Sequence, residues 1–159
     1  MKIIFVVLLV AFAHIETVWA HGAHHHENGA PSYNLSVSQI NDLYVRSVRP
    51  IFQAKCFDCH SDRTVYPPYY KIPGVKWWID DDIKEAREHI DMSHDFPFGG
   101  HGTPLDDLQA MRDVIRNGTM PPWLYRLAHR ESRLTDDDRR IILQWIADAE
   151  ALIPSDPTD

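Results

Sequence analysis

Two cysteines and a histidine stand together at Cys56-Phe57-Asp58-Cys59-His60, and the chain has no other cysteine. Two thiols separated by two residues, with a histidine directly after them, form the pattern of c-type haem attachment. The chemistry explains the spacing. Each thiol adds across one vinyl group of the macrocycle, and the two-residue gap matches the distance between those groups. The next residue then lies under the iron and offers it an imidazole nitrogen. Other uses of these residues need partners that the sequence does not supply. A redox dithiol wants a βαβ setting, and a zinc site wants two more ligands at a recognisable spacing. A structural disulfide has no need of His60. The motif therefore implies one covalent haem c, carried by Cys56 and Cys59 as thioethers, with His60 as the proximal iron ligand.

An iron held by one histidine has one axial position left, and its occupant separates two functions. A protein side chain there closes the iron to small ligands and leaves the haem to pass electrons. An open position admits gas binding or peroxide chemistry. The methionines are Met1, Met92, Met111 and Met120. Met111 falls on a helical apolar stripe, where methionine is ordinary packing, and Met92 precedes a loop. Met120 sits in Thr119-Met120-Pro121-Pro122, where two prolines stiffen the backbone behind the sulfur. A thioether also raises the potential relative to two imidazoles. Met120 is the expected distal ligand. Its rivals are His94, His101 and His129, with His89 weaker on an exposed helix face.

The elements that must position these groups are helical. Val37, Ile40, Tyr44, Val48 and Ile51 recur at helical spacing, behind a cap at Ser36, and Pro50 is expected to bend or end that helix. The stretch from Ser61 to Gly74 is rich in tyrosine and proline and reads as an ordered loop. Its tyrosines have apolar bodies and polar tips, which suit the edge of a haem. A second helix runs from about Val75 to Ile90 with Ile79, Ile83, Ala86 and Ile90 as its stripe. Trp77 and Trp78 open it, pointing about 100° apart, so one of them is expected to face the haem. Tyr70 and Trp77 are the candidates for the haem pocket. Asp91 to Gly102 reads as a loop loosened by glycine. Thr103 and Pro104 then start a third helix that Asn117-Gly118 ends. A short helical segment, Trp123 to His129, follows. Thr135 with Asp138 resembles a capping box for a last helix lined by Ile142, Trp145, Ile146, Ala149 and Ile153 and stopped by Pro154.

The chain has 159 residues and a formal charge of −7. Residues 1–20 read as a secretory signal peptide: Lys2, an apolar run from Ile3 to Ala13, and a small-x-small site at Val18-Trp19-Ala20. That run is shorter than the roughly 20 apolar residues a bilayer span needs, although an uncleaved anchor is the competing reading. Cleavage leaves about 140 residues, one domain, in the periplasm, where c-type haem is attached. Residues 21–35, with His21, His24, His25 and His26, read as a flexible tail. Such clusters bind copper, nickel or zinc, but the favoured reading is a solvated tail with only adventitious metal affinity. The haem-binding domain spans 36–153, and 154–159 is a polar tail. The acidic balance argues against nucleic acid and anionic membrane and leaves redox proteins as the expected partners.

Taken in order, the later motifs resemble a family, the small haem-binding domain of bacterial exported cytochromes. The likeness rests on Cys56 to Ser61, then Thr64, Tyr66-Pro67, Tyr69, Pro73 and Trp77-Trp78. It continues through Gly118-Thr119-Met120-Pro121-Pro122, Tyr125, His129, Leu134 and Trp145. It covers roughly Ser36 to Leu152. It implies an all-α, small cytochrome c-like domain wrapped around one covalent haem with long ordered loops, ligated by His60 and Met120. There are two departures. Pro68 stands where a tryptophan is expected, and the Phe96 to Gly102 stretch is longer and richer in glycine.

The sequence thus implies an exported mono-haem c-type cytochrome that carries single electrons between redox partners and is not itself an enzyme, since no catalytic acid–base pair stands out. The alternative is a haem enzyme or a gas or redox sensor with an open or displaceable sixth position.

Overall fold

The computed structural model describes residues 31–153, and side-chain surroundings from residue 36 onward. The expected signal peptide, the cluster from His21 to His26 and the tail from Pro154 lie outside the described residues. Helices dominate. They are α1 (Pro31–Leu43), α2 (Arg49–Lys55), α3 (Phe57–His60), α4 (Val75–His89), α5 (Pro104–Asn117), α6 (Trp123–Ala128) and α7 (Asp136–Leu152). A two-residue antiparallel ladder, β1 (Ile90–Asp91) with β2 (Gly99–Gly100), is the only sheet among the described residues. The domain is all-α. No described helix is long and apolar enough to cross a membrane.

The first helix departs from expectation twice. It starts at Pro31, so Ser36 lies inside it, and residues 31–35 are helical rather than part of a tail. It also runs on past its expected end. A π turn at Tyr44–Val48 joins α1 to α2, with the Arg49 N–H donating to the Tyr44 carbonyl. The wider turn restarts the helical register just before Pro50. The proline then falls in the first positions of α2, where its missing N–H costs no hydrogen bond.

The core forms where α1, the π turn, α2, α5 and α7 meet. Ile40, Tyr44, Val48, Leu108, Ile142 and Ile146 are completely covered. The rings of Tyr44, Phe52, Phe98 and Trp145 pack edge-on or tilted at centroid distances of 5.3 to 6.4 Å. The Trp145 Nε1–H donates to the Ile40 carbonyl at 3.2 Å, so even its polar atom is satisfied. Two capping boxes set the starts of α5 and α7, Thr103 with Asp106 and Thr135 with Asp138. Gly118 ends α5 in the left-handed region at φ 66°. Arg139 reaches from α7 to the Ile115 carbonyl at 2.6 Å, and Arg112 of α5 pairs with Glu150 of α7.

The stretch expected to be a loose loop is held. Phe96 and Phe98 are buried in the aromatic core, and β1 pairs with β2. Gly100 is required there. Its φ is +120°, and a Cβ would lie 2.5 Å from the His89 carbonyl oxygen.

α4 behaves differently from α5 and α7. None of its side chains is fully buried. Its apolar line, Val75, Ile79, Ile83 and Ala86, instead faces a cavity.

Candidate functional site

The cavity has a volume of about 1080 Å³, at the upper end of small-molecule sites. Its walls come from α3, α4, α5, α6 and the loops before α4 and after α5. Cys56, Cys59, His60 and Met120 all line it.

The motif is wound into a single helical turn. The His60 N–H donates to the Cys56 carbonyl at 3.0 Å, and buried Phe57 anchors the turn in the core. The two cysteines are not joined to each other. Burial pushes the Cys56 thiol up to about 12, with Cys59 adding to the shift. Burial, followed by the Asp58 charge, pushes Cys59 up to about 11. Both therefore stand as thiols at neutral pH.

His60 is fixed by its other nitrogen. Nδ1 lies 3.0 Å from the Ile90 carbonyl oxygen. A carbonyl only accepts, so Nδ1 carries the proton and Nε2 keeps its lone pair. Burial lowers the tendency of His60 to take a second proton, against the pull of the Ile90 carbonyl. A neutral, oriented imidazole is what a metal requires. The Met92 N–H also donates to the His60 carbonyl at 2.6 Å, tying the backbone after β1 to the motif.

Asp58, the second spacer residue of the motif, is a hub. Its carboxylate accepts from the Tyr125 hydroxyl at 2.9 Å and the Val65 N–H at 3.0 Å, and its carbonyl accepts from Thr64. α6 and the loop at 64–65 are thus tied to the turn that carries the motif. Tyr125 stacks on His129 at 4.3 Å with 15° between the rings. The Tyr69 hydroxyl lies 2.6 Å from His129 Nε2, and Glu131 lies 3.4 Å from its Nδ1.

These contacts sort the candidates for the sixth position. Met120 lines the cavity on the loop between α5 and α6, away from α3 in the chain, and precedes a cis peptide to Pro121. His129 lines it with both ring nitrogens engaged. His101 and His89 line it and bond each other, Nε2 to Nδ1, at 2.8 Å. His94 is exposed and outside the lining. Met92 and Met111 are buried in the core and also reach the cavity.

Two expected pocket residues lie elsewhere. Tyr70 stacks on Tyr66 and donates to Asp80, outside the lining, while its neighbour Tyr69 faces in. Trp77 is 71% exposed, and Trp78 faces in instead. The helical phase favours this, because Trp77 lies about 200° from Ile79 and Trp78 about 100°. The motif reading assigns no role to the side chains of Asp58, Tyr125 or Asp107. Of these, Asp107 leaves the clearest trace, a carboxylate in line with Met111 and Ile115.

The donor set fits a haem: two thiols, one oriented imidazole and one thioether around a mostly apolar cavity of cofactor size. Such a group supplies one-electron chemistry at its iron. Fold and site together define a helical haem-binding protein.

The chain matches the haem-binding domain family over residues 11–148 and belongs to it. It is also similar to a cytochrome c peroxidase, Ccp, of Escherichia coli (strain K12). The two are 32% identical over 98 residues, 60% of this chain and 21% of that protein. The chain thus spans only about a fifth of the length of that curated relative. No solved structure matches.

Proposed function

We propose that this haem-binding protein is an exported mono-haem c-type cytochrome that relays single electrons between redox proteins, with His60 and Met120 as axial ligands. The observation that carries the reading is the meeting of Cys56, Cys59, His60 and Met120 around one cavity, with the two ligand candidates on different elements, α3 and the loop between α5 and α6. In this reading Cys56 and Cys59 hold the haem covalently. The Ile90 carbonyl fixes the His60 ring. The apolar faces of α4 and α6 keep water from the macrocycle. Export to the periplasm is proposed with it, since thioether attachment occurs there.

A second reading, peroxide or gas chemistry at an open iron, draws on the likeness to the Escherichia coli cytochrome c peroxidase. A match to a fifth of that protein does not bring its activity with it.

Spectroscopy tests the choice. A pyridine haemochrome assay is expected to give one covalently held haem per chain. The oxidised protein is expected to show the weak near-infrared sulfur-to-iron band, and Met120→Ala to lose it. A wild-type protein without the band that binds CO readily while folded would favour the second reading.

A further inference from the structure

Asp107 is the one buried carboxyl on the cavity wall that the haem reading leaves unused. It lies in the first turn of α5, on the same buried line as Leu108, Met111 and Ile115, where an apolar residue is the norm. It is 3% exposed, lines the cavity, and its Oδ2 has no hydrogen-bond partner. The other oxygen lies against Gly102, where a Cβ would come within 2.4 Å of it. Any side chain at Gly102 would therefore displace the carboxyl. A buried ionised carboxylate without a partner is costly, so such a group either neutralises or meets a donor.

The surroundings favour neutralisation. Asp106, next to it, is spent on the helix cap with Thr103. His101, on the loop before α5, is the nearest group of opposite tendency, and its Nε2 is taken up by His89 of α4. Burial foremost, then the Asp106 charge, raises Asp107 to about 6, against a smaller opposing pull from His101. Below that pH the carboxyl is neutral and has a proton to donate. A haem is apolar except for its two propionate carboxylates. Two carboxyl groups at close range share one proton, because both cannot ionise together.

We infer that Asp107 is the proton-holding residue of the haem site, bonding a propionate at the cofactor's polar edge and taking up a proton when the iron is reduced. The inference rests on the haem reading above. The balance is simple. One electron arrives from a one-electron donor protein, and the iron passes from ferric to ferrous. One proton passes from solvent to the Asp107–propionate pair, and no bond of the macrocycle breaks. The added proton offsets the added negative charge in a poorly hydrated site. The sign follows: reduction that takes up a proton becomes harder as pH rises, so the midpoint potential falls with pH.

The test is a spectroelectrochemical titration of the intact holoprotein across about pH 4 to 8. The wild type is expected to show a redox equilibrium that shifts by up to about tenfold per pH unit over part of that range. A potential independent of pH in the wild type overturns the inference without any variant. Asp107→Asn, which keeps a donor but cannot titrate, is expected to flatten the dependence. Asp107→Glu is expected to retain it, displaced along the pH axis. Retention of the full slope in Asp107→Asn, or its loss in His101→Gln with Asp107 intact, assigns the proton to another group and also overturns it. Haemochrome content and the near-infrared band are recorded on the same samples. A failure of the haem or ligand reading is thereby seen separately from a failure at Asp107.

Discussion

α7 and α4 are both amphipathic helices of similar length, but they end in opposite situations. α7 buries Ile142, Trp145, Ile146 and Ala149 against other helices. α4 buries nothing completely, and its line of Val75, Ile79, Ile83 and Ala86 is turned to the cavity. The half of the molecule around α7 is closed by protein alone, with Trp145 satisfied by the Ile40 carbonyl. The half around α4 and α6 is built to close on a cofactor. An apolar stripe records that a face will be covered. It does not record what covers it.

The largest expected effect tests that division directly. Trp145→Ala removes a ring from the packed half and should cost about 3–5 kcal/mol, whether or not haem is attached. Trp78→Ala removes a ring from the cavity wall. In a haem-free chain, prepared with both cysteines replaced by serine, it should change stability by no more than about 0.5 kcal/mol. In the loaded protein it should cost clearly more. Urea melts of both variants in both forms give the comparison. A haem-free chain that Trp78→Ala weakens as much as Trp145→Ala would mean that α4 packs on protein.

The same division explains what the sequence could disclose. The starts of α5 and α7 and the end of α5 were legible because their signals are local: Thr103 before Pro104, Thr135 with Asp138, and Gly118 all act within a turn, whereas Ser36 lies inside α1 rather than capping it. The haem-binding class was legible because two thiols and a histidine at that spacing are its local mark. Pro50 misled because the π turn beside it supplies the accommodation, and a wide turn has no residue signature. The Phe96 to Gly102 stretch misled because glycine suggests looseness, while Phe96 and Phe98 anchor it through contacts distant in sequence. Tyr70 and Trp77 were each one residue away from the side chain that faces the cavity. Adjacent aromatics look alike in a sequence, and only the turn at Pro68–Lys71 and the phase of α4 separate them.

A smaller effect probes the seam between the halves. The Tyr125 hydroxyl donates to Asp58 at 2.9 Å, joining α6 to the turn that carries the motif. Burial, together with that carboxylate, raises the Tyr125 hydroxyl above its usual range, so it stays a donor at any working pH. Tyr125→Phe keeps the ring stacked on His129 and deletes only the bond. It should cost about 1.5–3 kcal/mol, the range for a hydrogen bond to a charged group. If Met120 is the distal ligand as proposed, loosening α6 beside its loop should also let CO bind the ferrous variant more readily. A variant with wild-type stability and CO binding would reduce Asp58 to a spacer.

The smallest effect lies wholly in the packed half. Thr135 Oγ1 accepts from the Asp138 N–H at 3.1 Å, while Asp138 accepts from the Thr135 N–H at 2.9 Å. Thr135→Ala removes the first bond and leaves the second, so the loss should be about 1 kcal/mol. Thr135→Ser should recover most of it, since serine offers the same acceptor. The cap starts a helix whose buried residues touch protein rather than cofactor. The loss should therefore be equal in haem-free and haem-loaded forms. A markedly larger loss in the loaded form would show that the start of α7 feels the cavity. The route would be Leu134, which precedes the cap, is buried and lines the cavity. In that case the boundary between the two halves would run through α7 rather than beside it.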